Sequence, residues 1–318
     1  MASFATQVKN ELAKLPLEKS CCVVAETLSL FRTNGSMILE QGRFGVLFQT
    51  KHAGIAHRFL TLVRQSGLKL ATETEIHRNT RLQQRNVYQL KLLPSEESLS
   101  WLKEMGILGV GGFNSGGDKS FIKKRCCQRA YLRGAFLGGG SVNKPEGRYH
   151  LELVTQNFEF AEMIKTIMER FELPVKMVER KEEYVVYLKE GDAIIHFLQI
   201  IGANEALLNF ENVRIFKERR EYANRTMNCE VANVQKTVDA AFRQMTVIEA
   251  LEKRDLLDRL PLPLREVAFL RLRYPEESLK DLAVRCSGDL TKSGLNHRFK
   301  KLEKVGQEIL LRYAGDKK

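Results

Sequence analysis

The feature that most restricts this chain is an internal repeat. Cys21-Cys22 recurs 105 residues later as Cys126-Cys127. The same ungapped offset links Ala25 to Ala130, Phe31 to Phe136, Gly35-Ser36 to Gly140-Ser141, Gly42-Arg43 to Gly147-Arg148 and Thr50 to Thr155. Chance supplies one or two such matches, not all of them in one register. Two copies of one supersecondary unit must therefore pack side by side.

Each copy reads alike. A helix of small and apolar residues, CCVVAETLSLFRTNGS or CCQRAYLRGAFLGGGS, stops at Gly35 or Gly140, where glycine suits a helix end. A two-stranded piece follows, turning at Gly42 or Gly147, with FGVLFQT and YHLELVT running apolar or alternating. Next comes a helix (IAHRFLTLVRQSG or FEFAEMIKTIMERF), then strand material around 73–92 and 175–188, then a closing helix at 95–105 or 190–201. The unit is α-β-β-α-β-β-α, and Gly109 to Gly117 form a glycine-rich connector. The first helix of each copy lacks the polar face of a surface helix. The two are expected to pack against each other on a pseudo-twofold axis, flanked by the sheets.

The 318 residues carry a net charge of +12. A chain this basic is drawn to polyanions, nucleic acid foremost; a ribosomal or membrane-surface protein, or merely a basic surface, would share the signal. The N-terminus MASFATQVKNELAKL has no apolar core of a signal peptide. No run reaches the ~18 apolar residues of a membrane span. No C-x-x-C pair occurs among Cys21, Cys22, Cys126, Cys127, Cys229 and Cys286. That spacing argues against structural zinc, and the vicinal pairs read as small packing residues of a reducing cytoplasm.

The charged stretch 215–225, IFKERREYANR, marks a change of domain. In 230–252, Val231, Val234, Val238, Ala241, Met245 and Ile248 share one helical face. This segment either connects the domains or packs on one of them, and Leu260-Pro261-Leu262-Pro263 ends it. Three helices follow: 264–274, broken by Pro275; 278–285; and a third beginning at Thr291, a fitting N-cap. Ala283 supplies the small residue that a helix-turn-helix crossing needs. Leu295, Phe299 and Leu302 give the third helix its buried stripe. Ser293, His297 and Lys300 then point outward, flanked by Asn296 and Lys301, a mixture suited to base edges and phosphates in a major groove. The turn Cys286 to Leu290 is longer than the shortest turns of this motif. The candidate DNA-contacting residues are Ser278, Lys280, Lys292, Ser293, Asn296, His297, Arg298, Lys300 and Lys301. Lys123-Lys124-Arg125 and Arg214, Lys217, Arg219 and Arg220 add either phosphate contacts or solubilising charge.

The segment Tyr131-Leu132-Arg133-Gly134-Ala135-Phe136-Leu137-Gly138-Gly139-Gly140-Ser141 resembles the LAGLIDADG helix of homing endonucleases. That resemblance implies two such helices at the interface of two halves, a sheet saddle, and a catalytic acid just before the last glycine of each motif. The acid positions fall on Asn34 and Gly139, neither of which is a carboxylate, and divalent-metal hydrolysis needs carboxylates to hold the ions. KNELAKL (9–15), the two CC-x-x-A helices, RxYANRTMNCEVANVQKT from Arg220 and KSGLNHRFKKL from Lys292 resemble more specifically the WhiA family of sporulation regulators, over essentially the whole chain.

The fold class expected is α+β: two pseudo-symmetric LAGLIDADG-like αββαββα repeats followed by an all-α, sigma-factor-like helix-turn-helix domain. The boundaries read as 1–222 (repeats 1–108 and 118–222), a linking helix 223–260, and 261–318. The resemblance implies a non-catalytic, DNA-binding transcription regulator acting in sporulation and differentiation, or in cell division and chromosome segregation. The alternative is a nucleoid-associated cell-division factor without a defined operator. The expected partner is double-stranded DNA, with RNA polymerase or a co-regulator as candidate protein partners. No membrane, small-molecule substrate, cofactor or metal is expected, and the place is the cytoplasm, at the nucleoid.

Overall fold

The computed structural model describes residues 2–65, 69–78, 86–109, 112–113, 119–286 and 290–315. The chain divides into two compact units, Met1–Glu218 and Arg219–Lys318.

In the first unit, α1 (Phe4–Ala13) begins at Ser3, whose hydroxyl accepts from the Thr6 amide. The first repeat then runs α2 (Ser20–Asn34), β1 (Gly35–Glu40), β2 (Arg43–Thr50), α3 (Ala53–Arg64), β3 (Thr72–Arg78), β4 (Asn86–Leu92) and α4 (Glu96–Glu104). A short ribbon, β5 (Leu108–Gly109) with β6 (Gly112–Phe113), precedes the second repeat. That repeat runs α5 (Arg125–Gly139), β7 (Gly140–Val142), β8 (Leu151–Thr155), α6 (Phe158–Arg170), β9 (Lys176–Arg180), β10 (Glu183–Leu188) and α7 (Gly191–Ile201). The two four-stranded antiparallel sheets share one topology: β1-β2-β4-β3 and β7-β8-β10-β9. The αββαββα reading holds in both copies. Most of the glycine-rich connector (110–111, 114–118) and part of the strand material at 79–85 lie outside the described residues.

The β1–β2 hairpin turns on Gln41 and Gly42, with φ of 51° and 78°. Two consecutive left-handed residues match the right-handed twist of the strands. Asn157 caps α6, accepting from the Phe160 amide at 2.8 Å. The face of each sheet toward the helices is apolar. Val46, Phe48, Leu90 and Leu92 are buried in one; Leu151, Leu153, Val186 and Leu188 in the other. Phe48 stacks on Phe59 of α3 with ring centres 3.9 Å apart.

The motif helices α2 and α5 lie in direct contact, as the repeat requires. A Cβ placed on Gly134 would stand 2.7 Å from the Glu26 carbonyl oxygen and 2.9 Å from the Ser29 Cβ. At the C-terminal ends, one on Gly138 would stand 2.6 Å from Asn34 Oδ1. Missing side chains let the backbones approach this closely, so the helices run side by side in one direction. A buried polar cluster pins them. Glu26 accepts from Arg58 Nε (2.8 Å) and Nη2 (3.1 Å) and from Arg133 Nη1 (3.0 Å). Arg133 also donates to Glu18 at 2.6 Å and to the Ile201 carbonyl at 2.8 Å, and Arg58 to the Leu15 carbonyl.

Helix α8 spans Asn204–Glu252, and the unit boundary falls within it. It stops at Glu252 rather than continuing to the prolines. Leu251 accepts from the amides of Arg254 and Leu256, and Asp255 takes a φ of 53°. Ile248 is buried, but Val231, Val234 and Val238 on the stripe read from sequence are exposed. Three helices follow in the second unit: α9 (Leu262–Arg273), α10 (Leu279–Arg285) and α11 (Lys292–Gly315). Their core gathers Val247, Ile248, Leu251, Leu264, Val267, Ala268, Leu282, Leu295, Phe299 and Leu302. Among the described residues, no helix is long and apolar enough to cross a membrane.

Candidate nucleic-acid interface

Helix α11 is organised as its sequence spacing predicts. Leu295, Phe299 and Leu302 are fully buried, while Lys292, Ser293, Asn296, His297, Lys300 and Lys301 are exposed. Its first turn is held by Thr291, whose hydroxyl accepts from the Gly294 amide at 3.2 Å. Ser278 caps α10, accepting from the Asp281 amide at 3.4 Å and donating to its carboxylate at 2.7 Å. Five of the candidate residues, Ser278, Lys280, Lys292, Ser293 and Asn296, line a single cleft of 430 Å³. His297, Lys300 and Lys301 lie beyond that cleft. Arg298 turns toward α9 instead: it is half-buried, with Nη1 3.8 Å from Glu266 Oε2. Residues 287–289 of the long turn lie outside the described residues.

The seating of these helices depends on a residue that helical periodicity missed. Arg271 on α9 is buried, and its guanidinium is held by Gln244 Oε1 at 3.1 Å and the Glu277 carbonyl at 2.7 Å. It also lies 5.2 Å from the Phe299 ring centre. It thus ties the α9–α10 turn to α8 and supports α11 from beneath. Arg271, Gln244, Lys236 and Thr237 line the same cleft. Nothing in helical spacing announces a buried arginine; the pattern only lets it pass as a surface charge.

In the first unit the two motif-acid positions are occupied differently. Asn34 donates from Nδ2 to the Gln49 carbonyl at 3.1 Å, and its Oδ1 is buried without a hydrogen-bond partner among the described residues. At Gly139 a Cβ would collide with the Val154 carbonyl. Glu26, the carboxylate of α2, is committed to Arg58 and Arg133. Among the described residues, the open sheet faces carry mixed charge. Strand register places Glu40, Glu73 and Glu75 with Arg43 and Lys91 on one, and Lys91 is paired to Glu40 at 2.8 Å. On the other, Glu152 and Glu183 accompany Lys176 and Arg180. Of the additional cations read from sequence, Arg214 is paired with Asp192 and Glu218. Lys217 donates to the Gly147 carbonyl at 3.0 Å.

Family models match this chain in three consecutive pieces: the WhiA N-terminal LAGLIDADG-like domain over residues 20–108, the WhiA LAGLIDADG-like domain over 128–220, and the WhiA C-terminal HTH domain over 223–306. The chain belongs to the WhiA family. A "probable cell division protein WhiA" of Heliobacterium modesticaldum is 44% identical over 308 residues, covering 96% of both chains. Its namesake in Alkaliphilus metalliredigens is 42% identical over 314 residues, covering 95% of this chain and 97% of that one. The crystal structure of full-length DUF199/WhiA from Thermatoga maritima superposes with a TM-score of 0.58 at 23% identity, over 96% of this chain and 99% of that one. That likeness is one of fold: two LAGLIDADG-like repeats and a helix-turn-helix region, the α+β class expected from the sequence.

Proposed function

We propose that this WhiA-family chain is a sequence-specific, non-catalytic DNA-binding regulator of cell division or differentiation, and that α11 is its reading helix in the major groove. The observation that carries this reading is the division of α11 into a buried apolar stripe and an exposed face of Ser293, Asn296, His297, Lys300 and Lys301. Asparagine offers a bidentate donor–acceptor pair to adenine, and lysine serves guanine or phosphate. Under this reading residues 1–222 are the LAGLIDADG-like domain, 223–260 the linking segment, helical as far as Glu252, and 261–318 the DNA-binding domain. The mixed charge of the sheet faces favours a protein partner there, RNA polymerase or a co-regulator, over a phosphate backbone. The relatives' designation as probable cell division proteins supports the cell-cycle role.

Two tests follow. Asn296→Ala should relax preference at one or two base positions, by about 1–3 kcal/mol. Lys301→Ala should instead weaken binding to every sequence and lower the salt slope by about one unit. Titrating both variants against specific and scrambled duplexes over a salt series separates the two roles; identical behaviour of the variants would sink the assignment. Incubation with supercoiled plasmid and Mg²⁺ or Mn²⁺ should produce no nicking, and Asn34→Asp should not restore it. Gly139→Asp meets the Val154 carbonyl and should destabilise the fold without creating activity. Metal-dependent cleavage that co-purifies with the protein would overturn the non-catalytic reading.

A further inference from the structure

The repeat brings together chemistry that neither copy holds alone. Cys21 and Cys22 occupy the first turn of α2, and Cys126 and Cys127 the same turn of α5. The four Sγ atoms all lie within 4.8 Å of one another, and those of Cys126 and Cys127 are 3.9 Å apart. Tetrahedral zinc with metal–sulfur bonds of about 2.3 Å needs sulfurs about 3.8 Å apart, so rotamer adjustments of under about 1 Å close the site. An iron–sulfur cluster interposes several atoms between its cysteines and needs a wider cage.

We propose that Cys21, Cys22, Cys126 and Cys127 form a structural zinc site that clamps the two repeats across their pseudo-twofold axis. It sits at the end of the helix pair away from Asn34 and Gly139, about 20 Å along at 1.5 Å per residue. Binding is balanced as Zn²⁺ + 4 Cys–SH → [Zn(S–Cys)₄]²⁻ + 4 H⁺. The doubly negative product is well placed. The N-termini of α2 and α5 both point their partial positive charge at it. Lys19, Lys124 and Arg125 flank the pairs in sequence, and Arg129 follows one turn later. Cys22 and Cys127 are buried, while Cys21 and Cys126 are partly exposed and give a metal its way in. All four are free of disulfides. The absence of C-x-x-C spacing, which argued against zinc from sequence, is no obstacle when each repeat donates a vicinal pair.

The experiment is elemental analysis of the full-length chain, purified untagged and dialysed against metal-free buffer, with Co²⁺ titration of the chelator-treated protein. About one zinc per chain is expected, together with an intense thiolate-to-cobalt charge-transfer band saturating at one equivalent. Cys21→Ser/Cys126→Ser should lose the band and retain less than about a tenth of the zinc. Cys229→Ser/Cys286→Ser, outside the cluster, should retain both. Should the double cluster variant fail to fold, the wild-type Co²⁺ titration stands alone. Metal-free protein that takes up no cobalt with thiolate character, iron in place of zinc, or a disulfide within the four cysteines of anaerobically purified protein would each overturn the proposal.

Discussion

Glu26→Ala is expected to cost about 3–5 kcal/mol of stability, because it strands the buried Arg58 and takes from the buried Arg133 one of its two carboxylates. Arg58 and Arg133 are almost wholly excluded from solvent, and both direct guanidinium nitrogens at the Glu26 carboxylate from 2.8–3.1 Å. In water each guanidinium would be solvated. Here Arg133 would retain Glu18 and the Ile201 carbonyl, and Arg58 only the Leu15 carbonyl. The cluster joins α2 and α3 of the first repeat to α5 of the second, so its loss should loosen the junction between repeats as well as lower global stability. Glu40→Ala is the matched control. Its partner Lys91 is at the same 2.8 Å, but the pair is solvated, and such surface pairs contribute little. Denaturant midpoints of the two variants measure the contrast. A Glu26→Ala midpoint indistinguishable from that of Glu40→Ala would mean that the buried carboxylate does not hold the repeats together.

Gly134→Asp should be still more damaging, with most of the protein failing to fold. At this position the obstacle is backbone: the Cβ alone would meet the Glu26 carbonyl oxygen at 2.7 Å and the Leu30 amide nitrogen at 3.3 Å. Neither atom can rotate away as a flexible side chain would, so α2 and α5 must separate along their length. Gly134→Ala isolates the steric part and should cost about 1–3 kcal/mol, the range for an overpacked core. The aspartate adds an unpaired buried charge to that cost. Gly147→Ala is the control, since its nearest neighbour would be the Lys144 carbonyl at 3.6 Å, and it should leave the thermal midpoint almost unchanged. A Gly134→Ala variant as stable as Gly147→Ala would show that close backbone contact is not what joins the repeats.

The fold was legible in the sequence to an unusual depth because one pattern was written twice. The 105-residue offset located equivalent helices and hairpins in both copies, and the structure gives both sheets one strand order. The inward stripe of α11 was equally plain, since Leu295, Phe299 and Leu302 follow helical spacing. Less was visible wherever function depends on residues far apart in the chain. Glu26 lies on a helix whose apolar neighbours say nothing of two arginines, 32 and 107 residues away, that neutralise it. Arg271, which no spacing rule singles out, is buried. The cysteine pairs mark the repeat, yet the spacing rule for zinc looks along one segment. It does not anticipate a site whose halves are brought together by a pseudo-twofold axis. The apolar stripe of α8 does mark a helix, but helical period does not say what covers it, and Val231, Val234 and Val238 remain exposed.

The central claim, that α11 reads sequence, is tested most directly by mapping bound genomic sites in cells expressing the wild-type chain or Asn296→Ala at equal levels. The account predicts discrete wild-type peaks sharing one motif, with the variant losing information at one or two positions of that motif while its total DNA occupancy stays similar. Diffuse occupancy without a motif, identical in wild type and Asn296→Ala, would contradict it and leave a nucleoid-associated factor without a defined operator.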